Sequence, residues 1–176
     1  MTEYSRASER TCSMDRLLHL FESIARKAYK FTEADSRELV VLHPFDKRNV
    51  HQNLHQEVRR LFDDGHYAQC TFEAFKYLDK LVQQLSGSTE SGFKCMMQVF
   101  AEASPQITLT PNKTASEKDE QKGYQFLFAG SMLAIRNPRG HEFGLKDSPD
   151  ACLDHLAFAS MLLRRLEQAG HKTKVS

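Results

Sequence analysis

The chain has 176 residues, 40% hydrophobic and 27% charged, with a formal net charge of +1, enough for one domain with a real core. So balanced a charge points to no partner, and any nucleic-acid binding would need a local basic patch. No apolar run reaches membrane-spanning length, and the opening MTEYSRASER has no apolar signal core, so the expected location is the cytoplasm. The four cysteines at 12, 70, 95 and 152 contain no C-x-x-C pair. That argues against a zinc ribbon, and all four read as reduced and mostly packed.

In chain order, Leu17, Leu18, Phe21, Ile24, Ala25 and Ala28 repeat at helical spacing and predict a helix near 13–30. LHPFD (42–46) reads as a connection between this N-terminal part and the main body. Val50, Leu54, Val58, Leu61 and Phe62 mark a second amphipathic helix, which Gly65 is placed to end. A long helix follows near 67–85, then a loop at 86–92 and a short helix over FKCMMQVF. In the polar segment that comes next, ITLT is a candidate short strand. From about 116 to 136 the pattern is helical and apolar nearly all round, which predicts a buried helix. Ser148 as N-cap, Pro149 as first residue and Asp150 in the first turn open a last helix that stops at Gly170. The tail HKTKVS reads as loose. The expected fold is an all-α bundle with an additional N-terminal helix: 1–41 an N-terminal extension, 42–170 the helical domain, 171–176 a flexible tail.

The chemistry concentrates at AGSMLAIRNPRGHEFG (129–144). Arg136 and His141 have the spacing R-x4-H, but several other Arg–His pairs, such as Arg60 and His66, lie at R-x4–6-H spacing too. Only Arg136 and His141 combine a helix end, an Asn-Pro break and a second core helix downstream. Pro138 should turn the chain at Asn137, and Gly140 should ease the turn and bring His141 back beside Arg136. A permanent guanidinium next to a group titrating near neutrality suits phosphodiester chemistry. The same residues also read as an ordinary helix C-terminus, where arginine complements the dipole and proline commonly follows.

Other signals are blander. His51 and His55 are one turn apart but lack a third metal ligand, so they read as a solvated face. Met96 and Met97 read as core filler. Gly130 and Ala134 read as small residues for close helix approach. There is no phosphate-cradling glycine loop, and no cofactor or metal is expected.

FLFAGSMLAIRNPRGHE followed by LDHLAFASMLLRRLEQA resembles the signature of the HEPN superfamily. More narrowly, LHP (42–44), LFDDGHYAQCTFEAFKYLDKLV (61–82), MQVFAEASPQITL (97–109) and AGSMLAIRNPRGHE (129–142) resemble, in order, the small prokaryotic Ymh family, across residues 40–170. The resemblance implies an α-helical, usually dimeric protein. Many HEPN proteins are metal-independent ribonucleases of toxin–antitoxin, abortive-infection and other antiphage systems. It carries the catalytic motif onto Arg136, Asn137 and His141. It implies RNA as substrate, a homodimer, and an antitoxin or defence-system partner. Arg139 within the motif is a candidate phosphate contact, and His66 and Tyr67 of the GHY segment are weaker substrate candidates. The alternative the resemblance allows is a non-catalytic HEPN module that binds nucleic acid or a protein.

Overall fold

The structure is a computed structural model that describes residues 17–28, 42–54 and 56–175. These residues form helices joined by loops, with no strand among them, so the fold is all-α. The chain divides into two units, Met1–Leu42 and His43–Ser176. In the first, residues 17–28 form helix α1, with Leu17, Leu18, Phe21 and Ile24 exposed. The ends predicted for this helix, and Cys12, lie outside the described residues.

The second unit runs through α2 (Pro44–Lys47), α3 (Gln56–Asp63), α4 (Tyr67–Ser86), α5 (Gly92–Val99), α6 (Ala115–Ser131), a π-helical segment (Met132–Arg136), α7 (Asn137–His141) and α8 (Pro149–Gln168). The LHPFD connection holds α2, whose entry is capped by the His43 ring accepting the Phe45 amide at 3.1 Å. The helix predicted from Val50 starts only at Gln56. Before it, a loop carries Leu54 into the core and buries His51, whose Nδ1 accepts the Asn53 amide and whose Nε2 lies 3.1 Å from Glu167. Both ring nitrogens of His51 are thus used by the fold, and His55 lies outside the described residues.

Gly65 ends α3 as predicted. Its amide donates to Phe62 O and the His66 amide to Leu61 O, the paired bonds of a Schellman turn, with Gly65 at φ +78°. Gly65→Ala is therefore expected to lower stability by roughly 1–2 kcal/mol in a denaturant melt. An unchanged midpoint would show that the turn adapts.

The core is a single cluster in which Phe75, Leu78 and Val82 of α4 join Leu156, Leu162 and Leu163 of α8, with Cys95, Met96 and Val99 of α5 and Phe128 and Met132 beyond. Cys70, Cys95 and Cys152 are buried free thiols, and Met96 and Met97 pack in or against the core, as their sequence context indicated. Other expectations change beside the later start of α3: His51 is buried instead of lying on a solvated face, and ITLT forms no strand. The 116–136 helix is not buried all round. Its inward face carries Gln121 and Gln125, and Gln121 holds the 100–109 loop through Phe100 O, Ile107 O and the Leu109 amide. Its outward face leaves Phe126 54% and Leu133 50% exposed, and Gly130 opens onto free space rather than a close helix contact. The tail is pinned rather than loose. Thr173 is buried, bonds Asn53 and Glu167, and its carbonyl accepts the Tyr77 hydroxyl at 2.6 Å.

Candidate functional site

Pro138 cannot donate an amide proton, and in a regular α-helix its ring would meet the carbonyl of Ala134. The predicted response was a break at Asn137. The chain instead widens by one residue: Met132–Arg136 is π-helical, closed by the Asn137 amide on Met132 O. The helix then continues through Asn137, at φ −64° and ψ −44°, with Pro138 in the first turn of α7 where it needs no amide hydrogen. Gly140 is helical, not a turn residue. A Cβ there would lie 2.7 Å from the Phe72 ring, so glycine lets α7 rest on that ring.

The widened turn ends on Arg136, whose side chain is 24% exposed. Its Nη1 donates to Asn137 Oδ1 at 3.1 Å, its guanidinium lies over Phe72 with Cζ 5.6 Å from the ring centre, and its Nε is buried without a hydrogen-bond partner among the described residues. Nη2 stands 3.9 Å from Asp79 Oδ2. That carboxylate is buried in α4, and its other oxygen accepts the Gly92 amide at 2.8 Å, capping α5. Asp79 was missed in the sequence. The signal was there: it is an acidic residue on the α4 stripe of Phe75, Leu78 and Val82.

Arg139, the candidate phosphate contact, is already engaged within the chain. It grips Asp147 with Nε at 2.6 Å and Nη2 at 2.7 Å, and donates Nη1 to Ile135 O in the π-helical turn at 2.8 Å. The pair is largely shielded, with side chains 9% and 7% exposed, and His155 Nδ1 of α8 lies 3.4 Å from Arg139 Nη2. Burial pushes the Asp147 carboxyl up, but the hydrogen bonds and charge of Arg139 outweigh it and hold it below its ordinary range. Burial, then the charge of Arg139, lowers His155, with Asp147 opposing.

His66, Tyr67 and Arg139 come together. They line one cleft of about 620 Å³ with Gln69, Lys146 and Asp147. His141 is exposed at the end of α7, and among the described residues no hydrogen bond or ion pair joins it to Arg136. Five helical positions separate the two by about 7.5 Å along the axis and roughly 140° around it. One chain therefore places the pair on different sides of a short helix, not beside each other as the turn at Asn137 was expected to do. Among the described residues no three His, Cys, Asp or Glu side chains are grouped to hold a metal ion, and no helix is long and apolar enough to cross a membrane.

A family model described as "Protein of unknown function (Hypoth_ymh)" matches residues 48–166, more than half of the chain. No curated protein and no solved structure matches it.

Proposed function

We propose that this chain, which belongs to the Hypoth_ymh family, is a metal-independent endoribonuclease of HEPN type, built around Arg136, Asn137 and His141. The observation that carries the reading is the π-helical turn ending on Arg136. Such turns occur mostly as single-turn bulges inside α-helices, and frequently at functional sites. This one delivers a guanidinium that is braced by Phe72, Asn137 and Asp79 yet still reaches solvent, at the start of the helix that ends on exposed His141.

The chemistry is transesterification. The RNA 2′-oxygen attacks its own phosphorus, the P–O5′ bond breaks, one histidine takes the 2′-hydroxyl proton and a second histidine protonates the departing 5′-oxygen. Arg136 stabilises the charge gathering on the phosphoryl oxygens, and Asn137 orients Arg136. Because Arg136 and His141 of one chain do not meet, the reading includes a two-fold homodimer whose corners face each other. Phe126, Leu127 and Leu133, exposed on the segment leading into Arg136, offer apolar surface for the partner copy. The biological role that fits is a toxin or effector in antiphage, abortive-infection or toxin–antitoxin defence, with an antitoxin or defence protein as a further partner.

The separation of Arg136 from His141 also favours a second reading, a non-catalytic HEPN module that binds nucleic acid or a protein. Product analysis decides. Cleavage should survive EDTA, leave 2′,3′-cyclic phosphate and 5′-hydroxyl ends, and spare DNA, which lacks the attacking hydroxyl. Light scattering should give twice the chain mass of 20.2 kDa. Strict magnesium dependence or 5′-phosphate ends would remove the mechanism, and full activity from a monomer would remove the composite site.

A further inference from the structure

We propose that Phe72 is a positioning residue of this site, setting where Arg136 stands relative to the short helix that carries His141. The inference rests on the ribonuclease reading and adds to it a residue outside the motif. Phe72 is half-buried on α4, and its ring meets the motif at two places. The Arg136 guanidinium lies over the ring, with Cζ 5.6 Å from its centre. The backbone of Gly140, the residue before His141, packs so close that a Cβ there would meet Cε2 of the ring at 2.7 Å. One side chain of α4 is thus the floor under both the arginine and the helix ending on the histidine.

The other contacts of Arg136 hold it less firmly to α4. Its hydrogen bond to Asn137 stays within its own helical run, and Asp79 at 3.9 Å is a charge partner too distant for a hydrogen bond. A planar guanidinium stacks on aromatic faces, so the ring sets its tilt. Residue 140 serves the same contact. Alanine is the better helix former, yet this helical position holds glycine. An added methyl group there has two ways out. Either α7 lifts off the ring and carries His141 with it, or the ring swings from beneath Arg136. Lys76, 5.8 Å from the ring centre and paired with Glu73, stands against the second movement. Both movements put Arg136 and His141 out of register, and a misplacement of about 1 Å among reacting groups can cost roughly 10²-fold in rate.

A double-mutant cycle on the full chain tests this, with kcat and KM measured on one labelled RNA well below the unfolding midpoint. Gly140→Ala should lower kcat about 10²-fold and Phe72→Leu about tenfold. Each should leave KM within about twofold, because neither removes a charge that binds phosphate. Leucine ends short of Cε2, so the double variant escapes the clash. It should cut about as fast as Phe72→Leu alone, roughly tenfold faster than Gly140→Ala, where independent roles would multiply to a loss of about a thousandfold. Multiplied losses, a parental kcat in Gly140→Ala, or losses confined to KM would each overturn the positioning role. The ribonuclease reading would stand in those cases so long as Arg136→Ala and His141→Ala are inactive. If Gly140→Ala does not fold, Phe72→Leu decides alone, and a parental kcat there overturns the proposal. A parent chain that cuts no RNA would overturn both.

Discussion

His141→Ala should lower RNA cleavage by about 10²- to 10⁴-fold, the range of a lost general acid–base group. Its unfolding midpoint should barely move, because the side chain is exposed and, among the described residues, no hydrogen bond holds it. An exposed residue without partners contributes within about 0.5 kcal/mol. Arg136→Ala should be as inactive but not as silent. It strips the cation from beside the buried Asp79 carboxylate and uncovers Phe72, at a cost of roughly 1–3 kcal/mol. The two effects separate in a double variant. Asp79→Asn still offers an oxygen to the Gly92 amide but carries no charge that needs Arg136. Added to Arg136→Ala, it should return part of the lost stability and none of the cleavage. Denaturant melts and cleavage of one labelled RNA measure both axes. A His141→Ala protein that cuts at the parent rate would end the catalytic assignment, whatever its stability.

Most of the fold was legible because its signals are local. Ser148 accepts the Ala151 amide with Pro149 behind it, and Gly65 closes a Schellman turn. Both depend on a few consecutive residues and on backbone rules that hold in any protein. The T-x-x-E of Thr114 and Glu117 is a signal of the same kind that went unread, and it forms a complete capping box. What failed was non-local. Pro138 was expected to break the helix, but Arg139, Phe72 and the Ile135 carbonyl hold α7 in line, so widening one turn is the cheaper way to relieve the proline. Apolar residues around α6 were expected to mean burial. In the chain Gln121 and Gln125 share the inward face with Phe128, Ala129 and Met132, because loop 100–109 and the end of α5 present carbonyls that need donors, and Phe126, Leu127 and Leu133 were left outside. At the site, Arg136, Asn137 and His141 could be found by motif, and the cleft gathers His66, Tyr67 and Arg139 as a group. No spacing rule links Asp79 to Arg136 or Asp147 to Arg139, since those pairs exist only once α4, α7 and the arm before α8 are packed.

The Arg139–Asp147 pair is where the largest stability change is expected. Both groups are nearly out of water, joined by two hydrogen bonds, and Arg139 also ties down the Ile135 carbonyl. Asp147→Ala leaves a largely shielded guanidinium without its carboxylate and should cost roughly 2–4 kcal/mol, less than for a fully buried pair. Replacing both partners by apolar residues of similar size, Arg139→Met with Asp147→Leu, should recover most of that loss, because neither charge then has to be desolvated. The pH dependence follows from the direction of the Asp147 shift. Its carboxyl titrates below the ordinary value of about 3.9 in the folded chain. The unfolded chain therefore binds the proton first, and the contribution of Asp147 is complete above about pH 4 and fades as pH falls through the lower folded value. The stability gap between parent and Asp147→Asn should accordingly be widest near neutrality and close in acid. His155 adds an earlier loss of its own, since its folded value is also depressed: stability it supports is present above about pH 6.5 and declines below it. Urea melts of the parent, Asp147→Asn and His155→Gln across pH 3 to 8 resolve the two windows. A gap between parent and Asp147→Asn that stays constant into acid would mean that the charge of Asp147 is not what holds Arg139, and the brace on α7 would have to come from packing on Phe72 alone.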